Sequence, residues 1–222
     1  MKRSLIAIIL LLSLCLCACD EYEVLRKTEE GNLWNRSSGI TYVSCGLSVK
    51  AYSVDTSDVY AKAGKSKYYK IQFEDPTCFI TEEDNVMGGV YRNSELSPIT
   101  LSNFNAVSAH IYVIGTVELI VDQFLAAKKY FDEDYPFDEN YVDGTPYTNA
   151  VVEAMLTGDN VLVPTYVDED ETRHIRLLSP DFPGLSYTII FMKDINGDCY
   201  LYDRETKVCV IAPEIIVERM IG

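Results

Sequence analysis

Basic residues are scarce in this chain. Nineteen Lys and Arg stand against thirty-four Asp and Glu, a formal net charge of −15 over 222 residues. An excess of that sign argues against nucleic acid and against anionic lipid as a partner, since both need Lys and Arg to neutralise phosphate. Histidine is nearly absent, with only His110 and His174, and Trp34 is the only tryptophan. No two cysteines stand in a C-x-x-C spacing, so neither a dithiol redox pair nor a zinc ribbon is indicated. The elbow G-x-S-x-G, the zinc-protease H-E-x-x-H, the Walker loop and the G-x-G-x-x-G fingerprint are all missing. These absences favour a non-catalytic protein. A hydrolase in this chain would rest on groups without a sequence signature, such as paired carboxylates or a nucleophile beside one of the two histidines.

Only one apolar run is long. Lys2 and Arg3 precede a hydrophobic stretch from Leu5 to Leu16, interrupted by Ser13. The layout is that of a secretory signal peptide, and the run is too short for an ordinary spanning helix. It closes on Leu16-Cys17-Ala18-Cys19, which resembles the lipobox of bacterial lipoproteins: an aliphatic residue, a tolerant position, a small residue, then the lipidated cysteine. Cys15 and Cys17 each follow a leucine, whereas Cys19 follows Ala18, so the resemblance implies lipidation at Cys19; a secreted protein cleaved nearby and a single uncleaved helix are the alternatives. The resemblance implies cleavage before Cys19, a diacylglyceryl thioether on its sulfur and acylation of the new amine. Two or more chains, at about 0.8 kcal/mol per buried methylene, hold a protein stably on a membrane. It thus implies a place in the bacterial cell envelope, anchored on the extracytoplasmic side. Residues 1–18 are then signal, 19–39 a lipidated polar tether and 40–222 one globular domain.

Loss of Lys2 and Arg3 with the signal leaves seventeen Lys and Arg against thirty-four acids, a net charge of −17. Such a surface suits solubility, a basic protein partner or divalent cations. The four remaining cysteines, Cys45, Cys78, Cys199 and Cys209, permit two disulfides outside the cytoplasm, with Cys45–Cys78 and Cys199–Cys209 the first choice and free buried thiols the alternative.

The patterning reads as α+β, a mainly antiparallel sheet with about three helices. Residues 40–54 and 68–74 read as strands, the latter with Tyr69, Ile71 and Phe73 on one face. Short strands follow at 78–81 and 90–92. Residues 110–114 read as a strand, and Val117, Ile120, Val121, Phe124, Ala127 and Phe131 recur at helical spacing, which predicts a helix over roughly 117–130; a strand extending over 117–121 is the alternative. Thr145-Pro146 opens a second helix ended by Gly158. Residues 160–167 and 174–178 read as strands. The C-terminal part is a β-meander over 185–211, with an Asn196-Gly197 hairpin turn, followed by a short helix after Pro213.

The acidic stretch 132–144 is the candidate binding loop. Asp132, Asp134, Asp138 and Asp143 offer hard oxygen ligands of the kind calcium takes, although Pro136 and Phe137 break the EF-hand spacing. Tyr135 and Tyr141 interleave with the acids and suit a protein-binding surface. The sequence therefore points to a lipid-anchored binding or interaction lipoprotein. An envelope hydrolase and a calcium-stabilised structural lipoprotein are the alternatives, and calcium is the one cofactor suggested.

Overall fold

The computed structural model describes residues 22–50, 53–82, 89–113, 119–120 and 145–221. Its first half is a closed barrel. In chain order the elements are β1 (Glu23–Lys27), β2 (Leu33–Asn35), β3 (Thr41–Ser44), β4 (Leu47–Val49), β5 (Val54–Ala63), β6 (Ser66–Ile71), β7 (Phe79–Thr81) and β8 (Val90–Asn93). All but β4 join the barrel, in the order β1-β2-β3-β8-β7-β6-β5. Neighbours are antiparallel except where β1 meets β5, Glu23 beside Ala61, and that parallel contact closes the ring. Inward-facing Leu25, Leu33, Tyr42, Ala61, Tyr68 and Ile80 fill the centre.

The second half begins with the short helix α1 (Leu101–Phe104), in which Asn103 reaches back to the Thr100 N–H at 2.8 Å. It continues with β9 (Ser108–Val113), β10 (Leu119–Ile120), α2 (Thr145–Thr157), β11 (Arg173–Leu178), β12 (Leu185–Lys193), β13 (Cys199–Tyr202), β14 (Cys209–Ile211) and α3 (Glu214–Ile221). The strands form one antiparallel sheet in the order β10-β9-β11-β12-β13-β14, with β4 paired to β12 as an added strand. The chain is thus α+β, with mostly antiparallel sheets and a short helix after the last strands.

Alternation decides which residues of the sheet do what. Ile175 and Leu177 of β11, with Leu185, Tyr187, Ile189 and Phe191 of β12, point to one face and pack with Val151, Met155 and Ile216 of the helices. Full burial of such side chains stabilises by about 1.5–3 kcal/mol each. Phe104 stacks on Phe182 at 5.6 Å and ties α1 to the same core. On the opposite face lie His174, Arg176, Ser186 and Thr188, with Arg176 opposite Thr188, His174 opposite Ile190 and Ser186 opposite Leu178. That face carries the polar chemistry.

Several expectations are corrected. The tether expected over 19–39 is barrel from Glu23 onward: Leu25, Leu33 and Asn35 are buried, and only alternation within such short strands would have revealed it. The helix expected over 117–130 is a strand at Leu119–Ile120, paired to β9, and its remainder lies outside the described residues. Residues 160–167 are irregular rather than a strand; Val161 donates to Cys209 O at 2.7 Å and Val167 bridges Asp194, so the segment flanks the β14 edge without joining the sheet. Phe73, expected on one strand face with Tyr69 and Ile71, lies beyond the end of β6 with φ 68° and is 79% exposed, because the chain turns out of the strand there. Gly158 does end α2, but by close approach: an added Cβ would stand 2.5 Å from the Ala154 carbonyl oxygen.

Candidate functional site

Cys19 and the loop residues Asp132, Asp134, Tyr135, Asp138, Tyr141 and Asp143 lie outside the described residues. Cys45, Cys78, Cys199 and Cys209 are free thiols, which corrects both expected disulfides. Cys199 and Cys209 sit on adjacent strands but out of register. Cys209 faces Tyr202, while the Cys199 carbonyl accepts from Ala212, three residues further along the ladder. Cys45 pairs with Val90 and Cys78 with Asn93, on opposite sides of β8 and again three residues apart. Disulfide geometry needs Cα atoms within about 7 Å, and three strand residues alone span about 10 Å.

What the fold does assemble is a cleft where barrel and sheet meet. The chain leaves the barrel after β3, with Cys45 donating its N–H to Val90 O at 3.0 Å, and enters the sheet as β4, with Leu47 opposite Tyr187. Gly46 forms the bend. The Glu205 side chain lies directly across it, in the space a Cβ would occupy. Ser44, Ser48, Gly89, His174, Thr188, Asp203, Arg204 and Glu205 surround the bend and enclose a volume of about 230 Å³. A second cavity of about 160 Å³ adjoins it, shares Ser44, Cys45, Gly46 and Glu205, and adds Arg92 and Tyr187. Glu205 therefore borders both spaces.

Asp203 holds this rim in place. It is 2% exposed. Its carboxylate accepts the Tyr187 hydroxyl at 2.7 Å, the Thr206 hydroxyl at 2.8 Å and the Glu205 N–H at 2.8 Å. Together these bonds fix the turn between β13 and β14 and so aim Arg204 and Glu205 at the cleft. On the floor, the Ser48 and Thr188 hydroxyls meet at 3.3 Å.

Comparison of the chain with protein-family models, with curated proteins and with solved structures finds no match. The site must be read from its own chemistry. Burial pushes the Cys45 thiol up to about 11, with Glu205 adding to the rise and Arg92 opposing it. Burial pushes His174 the other way, below the usual imidazole range, with Arg176 and Arg204 reinforcing the shift. A thiolate–imidazolium pair needs the reverse of both. The cleft thus presents neutral donors and acceptors, the hydroxyls of Ser44, Ser48 and Thr188 and the His174 ring, beside the opposed charges of Arg204, Asp203 and Glu205.

Among the described residues no cluster of three or more His, Cys, Asp or Glu is placed to hold a metal ion. Asp194, in the Asn-Gly hairpin, has its carboxylate occupied by the N–H groups of Asn196 and Asp198 at 2.8 and 2.9 Å. Burial raises its pKa, but these bonds and that from Gly197 outweigh it and leave the group below its ordinary value.

The sequence singled out neither Ser48, Thr188, Asp203 nor Glu205. The one available signal was the alternation of His174 and Arg176 with Ile175 and Leu177, which marks a strand with a polar inner face.

His110 carries a measurable consequence. On β9 it faces Arg176 in register. Burial, then Lys50 and Arg176, lower its pKa from 6.5 to about 4. As pH falls the unfolded imidazole takes its proton first, so this contribution is complete above about 6.5 and is lost progressively down to about 4. The expected loss is on the order of 2 kcal/mol. Urea unfolding between those pH values should show it in the wild type and show a flatter limb in His110→Gln. Equal slopes would remove the assignment.

Proposed function

We propose that this protein is a lipid-anchored binding lipoprotein of the bacterial cell envelope, held by Cys19 on the extracytoplasmic side, and that it binds rather than transforms its ligand. The junction cleft is the ligand site. The observation that carries this reading is its lining: hydroxyls, a neutral imidazole and the charges of Arg204, Asp203 and Glu205, drawn from five separate chain segments and held by the buried Asp203 carboxylate. Neutral hydrogen-bonding groups of that kind, in a space of about 230 Å³, suit a small polar ligand rich in hydroxyl or amide groups. The shifts of Cys45 and His174 support binding over nucleophilic chemistry, since the raised thiol stays protonated and the lowered imidazole is too weak a base to draw its proton.

The test is a screen of neutral saccharides and short peptides by NMR, with the His174 ring signals as reporter. Saturable shifts are expected for one class. Thr188→Trp, which fills the cleft from its floor, should weaken that binding by more than about tenfold while the thermal midpoint stays near wild type. Undiminished affinity in Thr188→Trp would move the site elsewhere.

A further inference from the structure

The net charge of this protein conceals a separation. Residues 22–71, which build β1 to β6, carry eight Lys and Arg against five Asp and Glu, while residues 72–222 carry nine against twenty-seven. The barrel's first strands are basic and nearly everything after them is acidic.

The fold gathers part of that excess on one outer face. In β1, Leu25 points into the barrel, and Val24 and Arg26 point out. Arg26 stands opposite Trp34 of β2, whose neighbours Leu33 and Asn35 are buried. Val24 lies beside Lys62 of β5, and Lys62 pairs with Lys67 of β6. The Lys62 ammonium sits 3.6 Å over the Tyr22 ring. Tyr22, Glu23, Val24, Arg26, Arg36 and Ser37 line one open hollow of about 570 Å³. Its single carboxylate, Glu23, is engaged by Ser37 and Asn35. The ion pairs found among the described residues are Lys70–Asp58 and Arg173–Glu171, so Arg26, Arg36, Lys62 and Lys67 keep their charge uncompensated there. Val24 is 55% exposed and Trp34 half-buried on the same face.

Cations interleaved with Trp, Tyr and an exposed aliphatic residue are the composition of surfaces that sit at lipid headgroups. The length of chain before this face says what it meets. Three peptide links separate Cys19 from Tyr22, a reach of at most about 11 Å. A lipid on Cys19 therefore brings these strands to the bilayer, with no room for a free tether.

We infer that the outer face of β2, β1, β5 and β6 docks on an anionic phospholipid bilayer, with Arg26 and Arg36 taking headgroup phosphates and Lys62 and Lys67 flanking them. This rests on the anchor at Cys19 proposed above. Repulsion of the acidic remainder turns the junction cleft's half of the molecule away from the membrane. The net charge of the whole chain argued against anionic lipid; the separation of that charge reverses the argument for this one face.

Trp34, as the sole tryptophan, reports directly. The mature protein purified from its native envelope would be reconstituted into phosphatidylcholine vesicles with and without phosphatidylglycerol, each holding a headgroup spin-labelled lipid. Trp34 quenching should be about threefold greater in the anionic vesicles and fall as salt is raised. Arg26→Glu/Arg36→Glu with Lys62→Glu/Lys67→Glu should abolish the difference. If that variant unfolds by circular dichroism, Arg26→Gln/Arg36→Gln should reduce the difference instead. Equal quenching in both vesicle types, or a difference untouched by these changes, overturns the inference. Mass spectrometry of Cys19 separates the two readings. A lipidated protein with unquenched Trp34 keeps the anchor and loses the docking face. If Cys19 carries no lipid, salt-sensitive co-sedimentation of the protein with anionic vesicles upholds the face, and failure to sediment overturns it.

Discussion

Asp203→Ala is expected to lower stability by about 3–5 kcal/mol and to abolish ligand binding at the cleft. The carboxylate is 2% exposed and accepts from two hydroxyls and a backbone N–H. Its removal leaves the Tyr187 hydroxyl buried without its acceptor and frees the turn that presents Arg204 and Glu205. Burial, reinforced by the hydrogen bond to Asp203 and its charge, raises the Tyr187 hydroxyl far above its ordinary range, so it stays a proton donor at any physiological pH. Asp203→Asn keeps an acceptor but turns an amide N–H toward these donors, and should recover only part of the loss. Tyr187→Phe removes one donor without stranding a charge and should cost about 1–2 kcal/mol. Urea unfolding of the three variants gives the ordering. A loss below about 1 kcal/mol in Asp203→Ala would show that water replaces the carboxylate and that the rim does not depend on it.

Gly184→Ala should cost about 3 kcal/mol, a large effect for one methyl group. The residue precedes β12 where the sheet meets the chain leaving β6. A Cβ there would collide with the Gln72 carbonyl oxygen and stand 2.8 Å from Cγ2 of Ile71. The obstacle is backbone, which no rotamer change removes. The same residue donates its N–H to Glu74 at 2.9 Å and accepts from Lys50 N at 2.9 Å, so a shift there strains the contact between barrel and sheet. Gly46→Ala is the informative contrast. Its obstacle is the flexible Glu205 side chain, so the variant should fold with a smaller loss while changing the cleft. Thermal midpoints that rank the two the other way would contradict this account.

Much of the second half was legible because its signals are local. Alternation and β-branched content defined residues 185–193, Asn196-Gly197 placed the hairpin, and Thr145-Pro146 opened α2 where it begins. The barrel was less legible. β2, β4 and β7 have three residues each, too few for a period to declare itself, and β5 carries polar residues and register shifts. Sequence spacing likewise gave no warning that Cys199 and Cys209 would miss each other, since the strand register that separates them is set by the turn that Asp203 fixes.

The sequence by itself determined the α+β class, the C-terminal meander and helix, and the net negative charge, since these depend on residues near one another in the chain or on composition alone. The tertiary structure decided the rest. Closing β1 on β5 turned an expected tether into barrel and set its basic residues on one outer face. Bending the chain at Gly46 from barrel to sheet brought Ser48, Thr188 and His174 together with the Asp203 turn. Those residues are more than a hundred positions apart at the extremes. Only long-range strand pairing, driven by burial of the faces behind them, gives them a common space.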